Sequence, residues 1–232
     1  MWTGLDWLFP PACGGCGRVG SRWCTDCQAR VSIICGIMCE VCGLPLERPG
    51  RCRTCELERP RFASLRAWAA LQDPVQEALH KLKYRRDIGL GEALAYQIAD
   101  FVRSLQWRCD LIVPVPLGQA RFRERGYNQV GLIARPLALA LGSKFTPRAL
   151  LRRRETRSQV GLTRSQRRQN VRGAFEGIRE LVSGRIVLLV DDVATTGSTL
   201  SSAAEALLAA EARDVFALTV ARAIPRTNRL HA

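Results

Sequence analysis

Apolar positions recur along the chain with two periods, and the switches between them outline the elements. Leu65–Leu71 is a mostly apolar run of strand length. Val75, Leu79 and Leu82 fall at helical spacing and predict a helix over Val75–Tyr84, and Leu94, Ile98, Phe101, Val102 and Leu105 predict another over Gly91–Leu105. Asp110–Val115 is a short apolar run stopped by Pro114 and Pro116, which predicts a buried strand ending in a loop. Asn128–Leu141 reads as a helix. Arg185–Val190 is continuously apolar after its first residue, the pattern of a central parallel strand. An Ala/Leu helix at Ser198–Ala210 and a strand at Val215–Ala221 follow. Strands alternating with helices predict an α/β fold, a mostly parallel sheet with helices on both faces. One stretch has no period: Arg148–Arg172 is polar and Arg-rich, and is expected to be a long flexible loop.

The first sixty residues follow neither period. Nine of the ten cysteines precede Glu56, so the chain divides into a cysteine-rich module at 1–60 and an α/β domain at 61–232, joined by a linker at Glu56–Phe62. The cysteines form four CxxC pairs: Cys13 with Cys16, Cys24 with Cys27, Cys39 with Cys42, and Cys52 with Cys55. A CxxC turn sets two thiolates on one side of a tight knuckle, and two knuckles complete a tetrahedral Zn²⁺ shell. Gly17 and Gly43 follow the first and third pairs, where the backbone often turns left-handed. Four pairs in series predict two structural zinc ions, because a four-thiolate shell leaves no open position for chemistry. The simplest pairing joins the first knuckle to the second and the third to the fourth; an interleaved pairing is the alternative. Cys35 and Cys109 are left over and read as buried or inert thiols. Gly15-Cys16-Gly17-Arg18-Val19-Gly20 matches the GxGxxG dinucleotide fingerprint, but it overlaps a metal knuckle rather than joining a strand to a helix, so it is rejected.

Length and composition bound the class. At 232 residues with 47% hydrophobic and 24% charged positions, the chain is long enough for a real core and is not disordered. No apolar run approaches the roughly 18–20 residues of a spanning helix, so no membrane insertion is expected. The first eleven residues do not read as a secretory signal, and ten cysteines without one point to a reducing compartment, hence a cytoplasmic protein.

The formal charge is +14, from 35 basic and 21 acidic residues, and all but three of the basic residues are Arg. The excess is local. Leu117–Arg172 holds 14 basic and two acidic side chains, while the rest of the chain is close to neutral. That imbalance exceeds ordinary ion-paired surface decoration and favours anion binding.

The most specific segment is Val187-Leu-Leu-Val-Asp191-Asp192-Val193-Ala194-Thr195-Thr196-Gly197-Ser198-Thr199-Leu200. A buried strand delivers two adjacent carboxylates to its carboxyl end, where ligands bind in open α/β sheets. A loop of small residues then leads into a helix, whose first N–H groups and nearby hydroxyls suit a phosphate. Carboxylates beside a phosphate suit sugar hydroxyls or Mg²⁺. No Walker lysine is present, so this is not a P-loop nucleotidase.

This segment resembles the phosphoribosyl diphosphate (PRPP) motif of type I phosphoribosyltransferases. The resemblance implies a type I phosphoribosyltransferase-like sheet behind a small zinc-ribbon-like module. It assigns the ribose hydroxyls to Asp191 and Asp192, and the 5′-phosphate to the loop of Ala194, Thr195, Thr196, Gly197, Ser198 and Thr199, with Mg²⁺ accompanying PRPP. The loop at Pro114, Val115 and Pro116, with Arg121, would face pyrophosphate. The Arg-rich stretch, with Arg152, Arg153 and Arg157, would be the flexible loop that closes over PRPP. Purine-salvage members place an acid/base carboxylate where this chain has Thr195, which counts against purine salvage. No other catalytic base stands out: His80 lies on a predicted helix and His231 in the tail.

The whole chain resembles the ComF (competence protein F) family of bacterial DNA uptake. The segments that carry it are Leu5-Asp-Trp-Leu-Phe-Pro-Pro-Ala-Cys13, Cys39-x2-Cys42-Gly-Leu-Pro45, Leu82-Lys-Tyr84, Val113-Pro-Val-Pro116, Arg121-Phe-Arg-Glu-Arg-Gly-Tyr-Asn-Gln129, Ser158-Gln159, Arg167-Arg-Gln-Asn-Val-Arg-Gly-Ala-Phe175 and the acidic pair. The family implies a cytoplasmic factor, at most peripheral to the inner face of the membrane, working with the DNA-uptake machinery. In that role the basic segment would contact single-stranded DNA through Arg123, Arg125, Arg154, Arg164, Arg167, Arg168 and Arg172. The competing expectation is a metabolic phosphoribosyltransferase with a non-purine acceptor, whose Arg residues serve only PRPP and pyrophosphate.

Overall fold

The apolar runs become the strands of one sheet, and the cysteine module closes its exposed edge. The computed structural model describes residues 10–156, 161 and 163–224. In the module, two five-residue helices, α1 (Thr25–Ala29) and α2 (Arg53–Leu57), each begin at a CxxC pair, with Cys24 and Cys52 at their N-caps. Seven strands follow among the described residues: β1 (Ser64–Ala70), β2 (Leu111–Pro114), β3 (Lys144–Phe145), β4 (Leu150–Arg152), β5 (Phe175–Gly177), β6 (Ile186–Ala194) and β7 (Asp214–Arg222). Five of them form a parallel sheet in the order β1-β7-β6-β2-β3, while β4 and β5 pair antiparallel as a separate ribbon.

Alternation along the strands divides the core. Leu111, Val113, Val187, Leu189, Val215 and Ala217 face one side, and Ile112, Leu188, Val190, Leu218 and Val220 face the other. The second side is covered by three helices, α3 (Val75–Tyr84), α4 (Gly89–Ser104) and α6 (Gln129–Leu141). The first is covered by α9 (Ser198–Ala209), the β4–β5 ribbon, and Cys39, Val41, Cys42 and Cys55 of the module. With both faces buried, each enclosed Leu, Ile or Val contributes roughly 1.5–3 kcal/mol of transfer free energy, which is why these strands read as unbroken apolar runs.

The module is stitched to β1 by backbone. Leu65 donates to the Val41 carbonyl at 2.7 Å and Ala70 to the Ser32 carbonyl at 2.8 Å, so the edge strand is not left open. Gly43, at φ +67°, comes so close to β1 that a Cβ there would lie 2.5 Å from the Leu65 carbonyl oxygen. Only glycine fits this contact.

The stretch 148–172, expected as one flexible loop, is corrected by the structure. It begins with a 3-10 turn at Pro147–Ala149 and β4, and ends with a helix, α7 (Arg164–Val171). Helix α7 is polar nearly all round and shows no apolar period. It is held by a capping box in which the Thr163 hydroxyl accepts from Gln166 N and the Gln166 side chain accepts from Thr163 N. Buried Val171 anchors its end, where the Ser202 hydroxyl donates to the Val171 carbonyl at 2.6 Å. A second polar helix, α5 (Gln119–Arg125), buries no residue. The short α8 (Arg179–Val182) completes the described helices. Among the described residues, no helix is long and apolar enough to cross a membrane.

Candidate functional site

After β6 the chain continues to β7, and after β2 to β3, in opposite directions along the sheet. The carboxyl ends of these two neighbouring strands therefore flank a switch point, where open α/β sheets form a crevice. A cavity of about 490 Å³ lies there. Its wall includes Val115 and Pro116 after β2, Asp191 to Leu200 of β6 and the following loop, Arg121 and Arg125 of α5, Arg152 at the end of β4, and Arg167 of α7. The fold thus brings segments spread from Lys83 to Leu200 around one space.

The acidic pair lies within the last turn of β6 rather than beyond it, with Asp191 in register with Thr219 of β7. Asp192 is buried and held by two donors, Lys83 Nζ at 2.9 Å and Gln129 Nε2 at 2.7 Å. Asp191 accepts from the Asp192 backbone N–H at 2.9 Å. Burial, and then the charge of Asp192, push the Asp191 carboxyl up from 3.8 to about 7, against the opposing pull of Lys83 and Arg152. Asp191 therefore holds a proton far more readily than an ordinary aspartate.

The loop after β6 is held by its own contacts. Gly197, at φ +77°, makes the turn into α9, and the Thr196 and Ser198 hydroxyls lie 2.8 Å apart at its mouth. Arg167 Nη1 donates to Thr195 Oγ1 at 2.7 Å. Arg152 reaches the Pro116 carbonyl at 3.4 Å and the Thr156 hydroxyl, and stacks over the Phe175 ring at 5.5 Å. Its Nε is buried without a hydrogen-bond partner among the described residues. Carboxylates, an amide-rich helix start and several guanidiniums in one crevice can bind a sugar through its hydroxyls and an anionic group at either end.

The remaining basic candidates are dispersed. Arg125 sits over Tyr84 at 5.4 Å and bonds Gln129. Arg123 is exposed on α5 outside the cavity wall. Arg153 pairs with Glu176. Arg154 donates to the Asn170 and Arg172 carbonyls, bracing the end of α7. Arg168 pairs with Glu58 of the linker, and Arg164 opens α7. Arg157 and the Ser158-Gln159 segment lie outside the described residues, as do Leu5 and His231.

Lys83, Tyr84 and Gln129 are members of the site that sequence reasoning did not assign. The available signal was thin: Lys83 is one of only three lysines, and Gln129 is a polar side chain at the start of an apolar helix.

The cysteines fall into the two expected quartets, Cys13, Cys16, Cys24 and Cys27, then Cys39, Cys42, Cys52 and Cys55, each with all four sulfurs within 4.8 Å of one another. The pairing is sequential, not interleaved. Cys16 and Cys24 Sγ are 3.7 Å apart, as are Cys42 and Cys52 Sγ. A tetrahedral zinc with Zn–S of about 2.3 Å sets its sulfurs about 3.8 Å apart, so both quartets fit structural zinc. Backbone N–H groups are already directed at the sulfurs: Cys52 N lies 3.3 Å from Cys39 Sγ, and Cys27 N 3.4 Å from Cys24 Sγ.

A buried cation supports the second site. Arg222, the last residue of β7, is 1% exposed, and its Nε and one Nη have no hydrogen-bond partner among the described residues. Burial works against its charge, and the nearest compensation comes from Cys42, Cys52, Cys55 and Cys39. A zinc tetrathiolate carries a net charge of −2, which supplies the counter-charge this guanidinium lacks. Within this quartet, hydrogen bonding with Cys55 draws the Cys42 thiol down to about 5 and pushes that of Cys55 up.

Of the leftover thiols, Cys35 is exposed, contrary to a buried reading, because it lies on the surface stretch between the two quartets. Cys109 is partly buried, and burial, with Asp110 and Asp214 nearby, pushes its thiol up to about 12, which keeps it inert.

Comparison with known proteins agrees with this division. A double zinc ribbon domain model matches residues 4–56, and a phosphoribosyl transferase domain model matches residues 132–229. The DNA utilization protein YhgH of Escherichia coli (strain K12) is 34% identical over 214 residues, 88% of this chain and 91% of that protein. The chain belongs to the ComF family. Competence protein F of Haemophilus influenzae is 28% identical over 208 residues, covering 86% of this chain and 90% of its own. Competence protein ComFC of Bacillus subtilis is 28% identical over 193 residues, covering 80% and 77%. As a ComF-family chain it pairs a zinc-ribbon module with a phosphoribosyltransferase-like α/β domain.

Proposed function

We propose that this ComF-family protein binds PRPP with Mg²⁺ in the switch-point crevice and handles single-stranded DNA in bacterial DNA uptake or utilisation. The observation that carries the reading is the convergence of Asp191, Asp192 and the Ala194–Thr199 loop with Arg121, Arg152 and Arg167 around one cavity. In this reading Asp191 and Asp192 take the ribose hydroxyls, and the loop takes the 5′-phosphate on the positive end of α9. Arg121 and Arg152 take the pyrophosphate from the opposite wall. Mg²⁺ arrives with the pyrophosphate and offsets its charge; Lys83 already offsets part of the charge of the acidic pair.

Calorimetry tests this reading. PRPP with Mg²⁺ should bind the wild type and fail to bind the Asp191→Asn/Asp192→Asn variant; equal heats for both would remove the site. The DNA half rests on the basic segment and the named relatives. It predicts an affinity for single-stranded DNA that falls steeply with salt.

A metabolic phosphoribosyltransferase with a non-purine acceptor is the second reading. It is favoured by the absorption of Arg121, Arg125, Arg152 and Arg167 into the PRPP crevice, which leaves fewer free cations for DNA. Pyrophosphate release from PRPP on adding an acceptor base, with no DNA binding, would select it.

A further inference from the structure

A second cavity, of about 430 Å³, lies across the phosphate loop from the first and shares Thr196, Gly197 and Ser198 with it. Four guanidiniums line it against two carboxylates: Arg59 and Arg61 from the linker, Arg168 and Arg172 from the α7 region, with Glu58 and Glu205. Arg61 Nε lies 3.5 Å from Glu205, and Arg168 pairs with Glu58, so both carboxylates are already engaged. Among the described residues, the side chains of Arg59 and Arg172 make neither an ion pair nor a hydrogen bond, and both are exposed. Two cations with no partner among the described residues thus face the outer side of a loop whose inner side forms the first cavity.

We infer that this second cavity is a backbone-phosphate subsite for single-stranded DNA, with Arg59 and Arg172 as its principal contacts. The inference rests on the DNA half of the proposed function and gives it a location. Successive residues of α7 serve different spaces, Arg167 in the first cavity and Arg168 in the second. A linear polyanion can run along the outer side of the shared loop and meet both guanidiniums, while the inner side holds the PRPP 5′-phosphate. Among the described residues, no aromatic side chain lines the second cavity. Recognition there is electrostatic, without base stacking, and therefore tolerant of sequence and steep in salt. Arg59 and Arg61 lie outside the basic segment that the charge count singled out; the fold brings them to it.

The test is a fluorescence-anisotropy titration of the full-length, zinc-loaded protein with a labelled single-stranded oligonucleotide over a salt series. Arg59→Ala/Arg172→Ala removes two phosphate contacts and should lower the slope of log K against log salt by about 1.4, at roughly 0.7 per contact on a single strand. Arg59→Lys/Arg172→Lys keeps both charges and should restore most of the slope. Arg185→Ala/Arg213→Ala removes two exposed cations from the opposite, amino-terminal edge of the sheet and should leave the slope unchanged. An unchanged slope in the Arg59/Arg172 variant, or an equal fall in both alanine pairs, overturns the subsite. No DNA binding by the wild type overturns the DNA half of the proposed function itself, and leaves PRPP binding to be judged by calorimetry.

Discussion

Replacing Asp191 by Asn should stabilise the protein at alkaline pH while destroying its proposed ligand site. The Asp191 carboxyl is raised from 3.8 to about 7 by burial and by Asp192, so the folded protein holds a proton that the unfolded chain loses. The stabilisation from the protonated acid is complete below about pH 4 and is lost as pH rises through about 7. Asn stays neutral and suffers no such loss. A carboxyl raised that far sets a ceiling of about 4 kcal/mol on the difference at pH 8. Asp191 is only partly enclosed at the cavity wall, and water there relaxes much of the penalty, so a gain of about 1–2 kcal/mol is expected. Paired urea titrations of wild type and Asp191→Asn, both zinc-loaded, measure it. The difference should be near zero below about pH 4, open between about pH 4 and 7, and level off by pH 8. A difference that stays constant over that range would show that Asp191 is not held protonated by its surroundings.

Two further outcomes follow from the same geometry. Lys83 lowers the proton affinity of Asp191, so Lys83→Met should move the pH midpoint of PRPP binding upward by about 0.5–1; an unmoved midpoint would mean that Lys83 only packs. Metal analysis should find about two zinc ions per chain, and Arg222→Met should lose the second more readily to a chelator, at a stability cost of about 3 kcal/mol. Unchanged zinc retention in that variant would remove Arg222 as the counter-charge.

The legible parts of this fold are those where burial imposes a pattern. Helix α3 has the predicted bounds, Val75–Tyr84, because Val75, Leu79 and Leu82 all face the core, and β6 shows in Val187–Val190 because both of its faces are covered. The cysteines were legible because metal geometry fixes their spacing. Helices α5 and α7 were not, since one buries nothing and the other only Val171; for α7 the readable signal was the Thr163–Gln166 capping box rather than any apolar period. Strand β6 also runs on through the acidic pair to Ala194, because its pairing with β7 continues past the last apolar residue. Within the site, Asp191, Asp192 and the loop are contiguous in sequence and could be read together. Lys83 and Gln129 approach Asp192 from 109 and 63 positions away, and only the packing of α3 and α6 against the sheet brings them there.

The convergence of the acidic pair, the phosphate loop and the arginines on one ligand is tested most directly by a crystal structure of the protein with PRPP and Mg²⁺. The ribose hydroxyls should lie on Asp191 and Asp192, the 5′-phosphate in the Ala194–Thr199 loop, and the pyrophosphate toward Arg121 and Arg152. PRPP bound elsewhere, or an empty crevice at ligand concentrations that saturate calorimetry, would contradict it.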